Sequence, residues 1–232
     1  MKIMSFNTQH CKNFITQEID FKVMADAILK CDADIIGLNE MRSLGADPNE
    51  YDRQVEKLSE LTGIENYFFA KAIEFSKGPY GNAILSKLKI ESAESIIIPD
   101  PDPKGDGGYY ETRCVLKAKL AGGITVLVTH FGLNPDEHKN AVDTVLQHIT
   151  DKKCILMGDF NVKPDNEVLL PIREKMRDTA DVFDCEKLSF PSDTPDRKID
   201  YIFVTPDVEV ISADIPAIVA SDHRPHTAQI NI

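Results

Sequence analysis

Ile155-Leu156-Met157-Gly158-Asp159-Phe160-Asn161-Val162-Lys163-Pro164 reads as an apolar strand that stops at a glycine and then delivers two polar side chains, Asp159 and Asn161. Alternation along an extended chain puts those two on one face. Unpaired at the mouth of a buried strand, a carboxylate and a carboxamide would each cost about 1–3 kcal/mol in desolvation. Taken alone, the stretch reads as well as a strand ending in a Gly-Asp turn, with Asn161 capping the turn. Recurrence of the same layout along the chain tips the reading towards a site.

Working outward, Lys2 to Asn7 alternates as a short strand with a polar tip, Asn7. Phe21, Met24, Ala25, Ile28 and Leu29 recur at helical spacing, which predicts an amphipathic helix over about 20–31. Asp34 to Leu38 is a second apolar strand, ending at Asn39-Glu40, and Tyr51, Val55, Leu58 and Leu61 mark a second helix stopped by Gly63. Short strands follow at Tyr67 to Ile73, Asn82 to Ser86, Glu94 to Ile98 and Arg113 to Leu120, with the Pro/Gly/Asp segment 99–108 as a flexible insertion between them. Ile124 to Thr129 is a strand ending at His130, and Asn134-Pro135 opens a helix whose stripe is Val142, Val145, Leu146 and Ile149. Beyond the opening stretch, Asn166 to Ala180 reads as helix interrupted by Pro171. Lys198 to Val204, Val208 to Ala213 and Thr227 to Ile232 read as strands.

With 232 residues the chain is long enough to bury a core without staples, and we expect one domain spanning 1–232. The net charge of -12 repels phosphate backbones at long range and argues against broad non-specific nucleic-acid binding. It leaves room for a local site where bound cations reverse the sign. Cys11, Cys31, Cys114, Cys154 and Cys185 are odd in number and contain no C-x-x-C pair, so neither a disulfide framework nor a zinc site is expected. The N-terminus turns polar too soon for a signal peptide, and no run reaches the roughly 18 apolar residues of a membrane span. The expectation is a cytoplasmic, monomeric protein.

Asn7, Glu40, His130 and Asp159/Asn161 sit at or just past strand ends, Asp200 lies near the start of a strand, and Asp222-His223 follows in a loop before the last strand. Strand ends gathered on one edge build sites in layered sheet proteins. Several carboxylates brought together need a cation, or their pKa values rise. Oxygen donors with few histidines and no paired cysteines suit Mg²⁺, with Mn²⁺ as the alternative, better than zinc. Singly, each residue has a plainer reading: Glu40 as an exposed carboxylate, His130 as a satisfied rim histidine, Asp200 as an ion-pair partner of its basic neighbours. His10, His138, His148 and His226 keep such readings, two in a helix and two as isolated loop residues.

Taken together, Asn7, the strand ending in Glu40, Thr129-His130, Gly158-Asp159-Phe160-Asn161, Asp200-Tyr201-Ile202 and Ser221-Asp222-His223-Arg224-Pro225 occur in the order expected of the endonuclease/exonuclease/phosphatase superfamily, the deoxyribonuclease-I-like metal-dependent phosphoesterases. The chain resembles the small bacterial members over residues 7–225. The resemblance implies an α/β fold, a four-layer sandwich of two packed central mixed sheets flanked by helices, and Mg²⁺-dependent attack of water on a phosphate ester. It further implies that Glu40 binds the metal with Asp222 and Asn7 assisting, and that Asn7 and Asn161 hold phosphate oxygens or the water. Asp159 would orient or deprotonate the water. His223 would bind or protonate the phosphoryl group, with Asp200 fixing its ring, and His130 would be a second acid or phosphate ligand.

Abasic endonucleases usually carry tyrosine where this chain has His130, and inositol polyphosphate phosphatases carry a Trp-Cys-Asp-Arg type segment where it has Arg197-Lys198-Ile199-Asp200. Calcineurin-like phosphoesterases need a Gly-Asn-His that is absent. The leading expectation is a phosphodiesterase acting on a small or lipid-derived substrate, since no lysine/arginine run tracks a nucleic-acid backbone. The alternatives are a nuclease relying on the metal and local bases such as Arg42, Lys71, Lys77 and Arg113, and an inactive binding scaffold on the same fold.

Overall fold

The computed structural model describes residues 1–43, 53–75, 78–106 and 108–232. Tyr51 and Lys77, and Gly107 of the segment 99–108, lie outside the described residues. In chain order the elements are β1 (Lys2–Asn7), α1 (Phe21–Cys31), β2 (Ile35–Arg42), α2 (Gln54–Thr62), β3 (Asn66–Phe75), β4 (Gly78–Ser86), β5 (Ile90–Ile97), β6 (Cys114–Leu120), β7 (Ile124–His130), α3 (Pro135–His148), β8 (Cys154–Asp159), α4 (Leu170–Arg173), β9 (Arg177–Asp178), β10 (Asp200–Val204), β11 (Glu209–Asp214) and β12 (His226–Asn231). They build two six-stranded mixed sheets, ordered β11-β12-β1-β2-β4-β3 and β5-β6-β7-β8-β10-β9. Each sheet has one parallel pair, β1 with β2 and β7 with β8, each joined by a crossover helix.

Strand periodicity sorts the apolar side chains into three layers. Ile3, Ile35, Ile84, Leu116, Val126, Val128, Ile155, Met157, Ile202 and Ala228 meet between the sheets. The alternate residues Met4, Phe6, Ile36 and Leu38 face Met24, Ile28 and Leu58 of α1 and α2. Leu127, Leu156, Tyr201 and Phe203 pack with Val142, Val145 and Ile172 of α3 and α4. The result is the helix–sheet–sheet–helix sandwich that the family resemblance implies.

Local chemistry sets the helix ends. Asp20 accepts the Val23 N–H at 3.0 Å and starts α1. Pro135 opens α3, where Glu137 accepts the Asn134 backbone N–H at 3.1 Å. The stretch 166–180 does not form the single interrupted helix that the sequence suggests. It breaks into short turns, the four-residue α4 with Pro171 in its first turn, and β9. Proline cannot continue an established helix but is tolerated at its start, so the chain restarts there instead of kinking. The segment after β5 is tied down: Asn140 Nδ2 donates to the Pro99 carbonyl, Thr112 Oγ1 to Asp100, and the Gly105 N–H to the Tyr110 hydroxyl. All five cysteines are free, and only Cys185 is exposed. No described helix is long and apolar enough to cross a membrane.

Candidate active site

Asn7, Asn39, His130, Asp159 and Asp200 share the strand parity of the inter-sheet core residues Ile3, Ile35, Val128, Met157 and Ile202. The site is therefore the open edge of the space between the sheets. In register, Asn7 at the end of β1 pairs with Asn39, the last residue of β2 paired to β1, and His130 pairs with Asp159 at the end of β7 and β8. Gly158 makes the second pairing feasible: with φ at +149°, a Cβ there would lie 1.8 Å from the Thr129 carbonyl oxygen.

Asp159 is the centre. It is 2% exposed, and its Oδ2 faces Asn7 Nδ2 at 3.1 Å, His130 Nε2 at 3.5 Å and His223 Nε2 at 3.6 Å. Its Oδ1 accepts the Asn161 N–H at 2.9 Å. Asn161 does not reach it by strand alternation, as the sequence suggests. β8 ends at Asp159, and a left-handed residue, Asn161 at φ +53°, turns the chain back. Asparagine is among the few non-glycine residues that adopt that conformation readily, and its amide is fixed by donating to the Phe131 carbonyl at 3.1 Å, just past the end of β7. Burial raises the Asp159 pKa; the His223 charge partly counters this and Asp200 adds to it, leaving it at about 7.

His223 donates from Nδ1 to Asp200 Oδ2 at 2.8 Å. Burial alone would lower its pKa, but Asp200 and Asp159 more than offset that and raise it to about 10. The ring is thus an imidazolium with its Nε2–H turned to Asp159, and Phe190 packs on it at 4.7 Å between centroids. His130 is the opposite case. Burial, then the charges of Arg113 and His223, push its pKa well below the usual range. Arg113 Nη1 lies 3.0 Å from His130 Nδ1 and Asn161 Nδ2 3.2 Å from Nε2, and both can only donate; the shorter, cationic contact and the Asp159 carboxylate 3.5 Å from Nε2 favour Nδ1 as the bare nitrogen and the proton on Nε2. Arg113 is itself matched by Glu111 at 2.7 Å.

On the other wall, Glu40 accepts from Asn7 Nδ2 at 3.0 Å through Oε1. Burial raises the Asp222 pKa, the His223 charge lowers it, and Glu40 raises it further, so these two carboxylates repel across the cleft. Asn7 Oδ1 accepts the Gln9 N–H at 3.1 Å, which turns its nitrogen to Glu40 and Asp159, so in this arrangement it donates to both carboxylates. Asp159, Asp200 and His223 have ligand atoms within 4.8 Å of one another, the spacing of a metal site. Their shared cation is already the His223 ring.

Three residues of the site carry no assignment from the sequence. Asn39, fully buried, accepts the Asp159 N–H at 3.0 Å and donates to the Thr129 carbonyl and Asn82 Oδ1, both at 2.8 Å. Its strand parity with Ile35 is the available signal. Arg113 reads in sequence only as a base for nucleic acid. His10 reads as an isolated loop residue, yet its Nε2 lies 3.7 Å from Glu40 Oε2. By contrast His226, buried between the Asp200 carbonyl and Thr179, and His138, on the Gly132 carbonyl, are structural as expected.

A family model described as Endonuclease/Exonuclease/phosphatase matches residues 4–223. The chain belongs to that family. Members of the endonuclease/exonuclease/phosphatase family are phosphoester hydrolases, generally dependent on a divalent metal, and this chain is a phosphoesterase by membership. Among solved structures of the same fold are a mannosyl-6-phosphatase of Bacteroides thetaiotaomicron (15% identity, TM-score 0.78, all of both chains covered) and a family member from Bacteroides vulgatus (20%, 0.75, all of this chain and 98% of that one). The human Nocturnin catalytic domain with bound sulfate is also similar (17%, 0.69, all of this chain and 94% of that one). No curated protein matches the chain by sequence.

Proposed function

We propose that this chain is a Mg²⁺-dependent phosphodiesterase, with Mn²⁺ as the alternative ion, that hydrolyses a small or lipid-derived phosphate ester by attack of a water held at Asp159. The observation that carries the reading is the convergence of Asn7 Nδ2, His130 Nε2 and His223 Nε2 on Asp159 Oδ2, 3.1–3.6 Å away, at a buried strand edge. Such donors suit the equatorial oxygens of a phosphoryl group, and the carboxylate suits the water.

The donor set fits a hard divalent ion: Glu40 and Asp222 supply carboxylate oxygens whose mutual repulsion such an ion relieves. When bound, the ion supplies charge neutralisation at the phosphoryl oxygens and the leaving oxygen. The remaining roles fall to the chain itself. Asp159, with a pKa of about 7, is matched to taking a proton from water near neutrality. His223, cationic and held by Asp200, donates to a phosphoryl or leaving oxygen. His130, neutral, donates from Nε2 without carrying charge, and the Asn161 amide stands 3.2 Å from that nitrogen with a hydrogen to spare.

Charge supports a diester. Among the described residues around Asp159, Arg113 is paired with Glu111, and His223 is shared by Asp200 and Asp159, so neither is a surplus cation for a second negative charge on the substrate. A diester brings one negative charge to the reacting phosphorus, a monoester close to two. The net charge of -12 adds a penalty against polyanions. Because one solved neighbour is named a mannosyl-6-phosphatase, the test needs a monoester arm.

The test sets wild type beside His223→Ala with Mg²⁺ or EDTA on bis(p-nitrophenyl) phosphate, p-nitrophenyl phosphate, a phosphocholine ester, an abasic-site duplex, short RNA and supercoiled plasmid. Metal-dependent cleavage of the small diesters, lost in the variant, is the expected result. Cleavage of nucleic acid alone overturns the substrate assignment, and preference for the monoester overturns the diester reading.

A further inference from the structure

The turn after β1 is strained in a way the catalytic reading does not use. Gln9, His10 and Cys11 have φ of +47°, +59° and +60°, and Glu40, which His10 faces, has +59°. None is glycine, and L-residues avoid this region for steric reasons. Strain gathered at one spot points to a role there. The turn is also locked. Gln54, fully buried, donates from Nε2 to the His10 carbonyl and accepts the Arg42 N–H, both at 2.8 Å, clamping the turn onto the end of β2. The Tyr80 ring packs on the imidazole at 5.2 Å between centroids.

What is locked is the aim of one nitrogen. His10 Nδ1 lies 3.2 Å from the Glu40 carbonyl oxygen, which can only accept, so Nδ1 carries the proton. In the neutral ring the bare Nε2 then faces Glu40 Oε2 at 3.7 Å. Two lone pairs pointed at each other repel unless a cation lies between or beside them. A histidine that gives its far N–H to a backbone carbonyl while turning the other nitrogen to a carboxylate has the arrangement typical of a metal-ligating histidine. Both side chains remain open to the cleft, 31% and 21% exposed.

We propose that His10 is a nitrogen ligand of the divalent ion held at Glu40, and that it biases the site towards Mn²⁺ over Mg²⁺. The proposal rests on the metal reading under the proposed function and adds a ligand to it. An imidazole nitrogen adds little for Mg²⁺, which takes oxygen donors and keeps its waters, and more for a first-row ion.

The test is Mn²⁺ binding to the full chain, followed by electron paramagnetic resonance, with spin-echo modulation to detect directly bound ¹⁴N, and with Mg²⁺ affinity measured by competition. Two variants guard against misfolding: His10→Asn tolerates the left-handed backbone, and His10→Phe keeps a ring against Tyr80. Wild type is expected to show ¹⁴N coupling that both variants lose, with Mn²⁺ affinity down about 10-fold or more and Mg²⁺ affinity changed far less. Absence of ¹⁴N coupling in wild type, its persistence in both variants, or equal losses for the two ions overturns the assignment. Glu40→Gln separates the two levels. If it weakens Mn²⁺ binding while the His10 variants do not, only the His10 ligand falls; if it leaves binding intact, the metal site at Glu40 falls with it.

Discussion

The β1–α1–β2 unit of one sheet and the β7–α3–β8 unit of the other are the same construction used for different chemistry. In each, the pairing of two parallel strands stops at polar residues, Asn7 beside Asn39 and His130 beside Asp159. Each is followed by a non-glycine residue in the left-handed region, Glu40 and Asn161. The first unit ends in neutral amides and opens a half-exposed carboxylate and imidazole to the cleft. The second ends in a buried carboxylate flanked by two histidines, one held charged and one held neutral. Depth makes the difference: buried groups have shifted proton affinities and suit proton chemistry, whereas half-exposed carboxylates suit an ion that must come and go.

The sharpest way to break this division is to remove charge from the buried half. Asp159→Asn should keep the fold, since asparagine can still accept the Asn161 N–H, and should lower turnover by about 10²–10⁴-fold. Added metal should not restore it. Near wild-type turnover in steady-state assays would take Asp159 out of the chemistry.

The next effect is on stability against pH, measured as Tm in EDTA. His223 is raised from an ordinary 6.5 to about 10, so its contribution is fully present below about pH 6.5 and is lost as pH rises through 10. Asp159, raised from 3.8 to about 7, has the same sign, because the folded state holds its proton more tightly and loses that advantage as pH rises through 7. The metal-free protein should therefore lose on the order of a few kcal/mol from these groups between pH 6 and 10. Asp200→Asn should flatten the part of the slope above pH 6.5. An unchanged slope in that variant would mean that Asp200 does not hold the His223 proton.

Asn39 joins the two halves and should come third. Asn39→Ala leaves the Asp159 N–H, the Thr129 carbonyl and Asn82 Oδ1 without that partner in a buried place. The expected loss is about 2–4 kcal/mol in urea unfolding. A loss below 1 kcal/mol would mean the halves are held together by packing alone.

The difference between the halves also explains what is legible in the sequence. Alternation reports strand tips, so Asn7, His130 and Asp159 can be read from the pattern of residues, whereas the four layers follow from the family resemblance those tips carry. Alternation fails where the chain leaves the strand. Asn161 arrives through a left-handed turn, and Asn7 presents nitrogen because a backbone N–H two residues on takes its oxygen. His10 looks like an isolated loop histidine because three left-handed residues in a row leave no glycine to announce them. Stretch 166–180 has helical composition but short turns, since Pro171 can only begin a helix. Arg113 is invisible as a partner of His130 because the contact runs sideways between β6 and β7, where neither residue's neighbours in sequence carry a signal.

That sideways contact gives the smallest and most specific test. If Arg113 fixes the His130 proton on Nε2, losing it should mix the two neutral forms of the ring and lower turnover by about 10-fold, or about 1.4 kcal/mol, with little change in KM. Arg113→Met alone would strand Glu111, which is largely buried, so the clean comparison is Arg113→Met with Glu111→Gln. The ¹⁵N shifts of the His130 ring report the outcome directly: one bare and one protonated nitrogen in wild type, two averaged values in the double variant. Arg113→Lys, which keeps a donor, should lie between them. Unchanged ring shifts would show that the Asp159 side of the ring, and not Arg113, holds the proton in place, and the neutral histidine would then be set by the same carboxylate that governs His223.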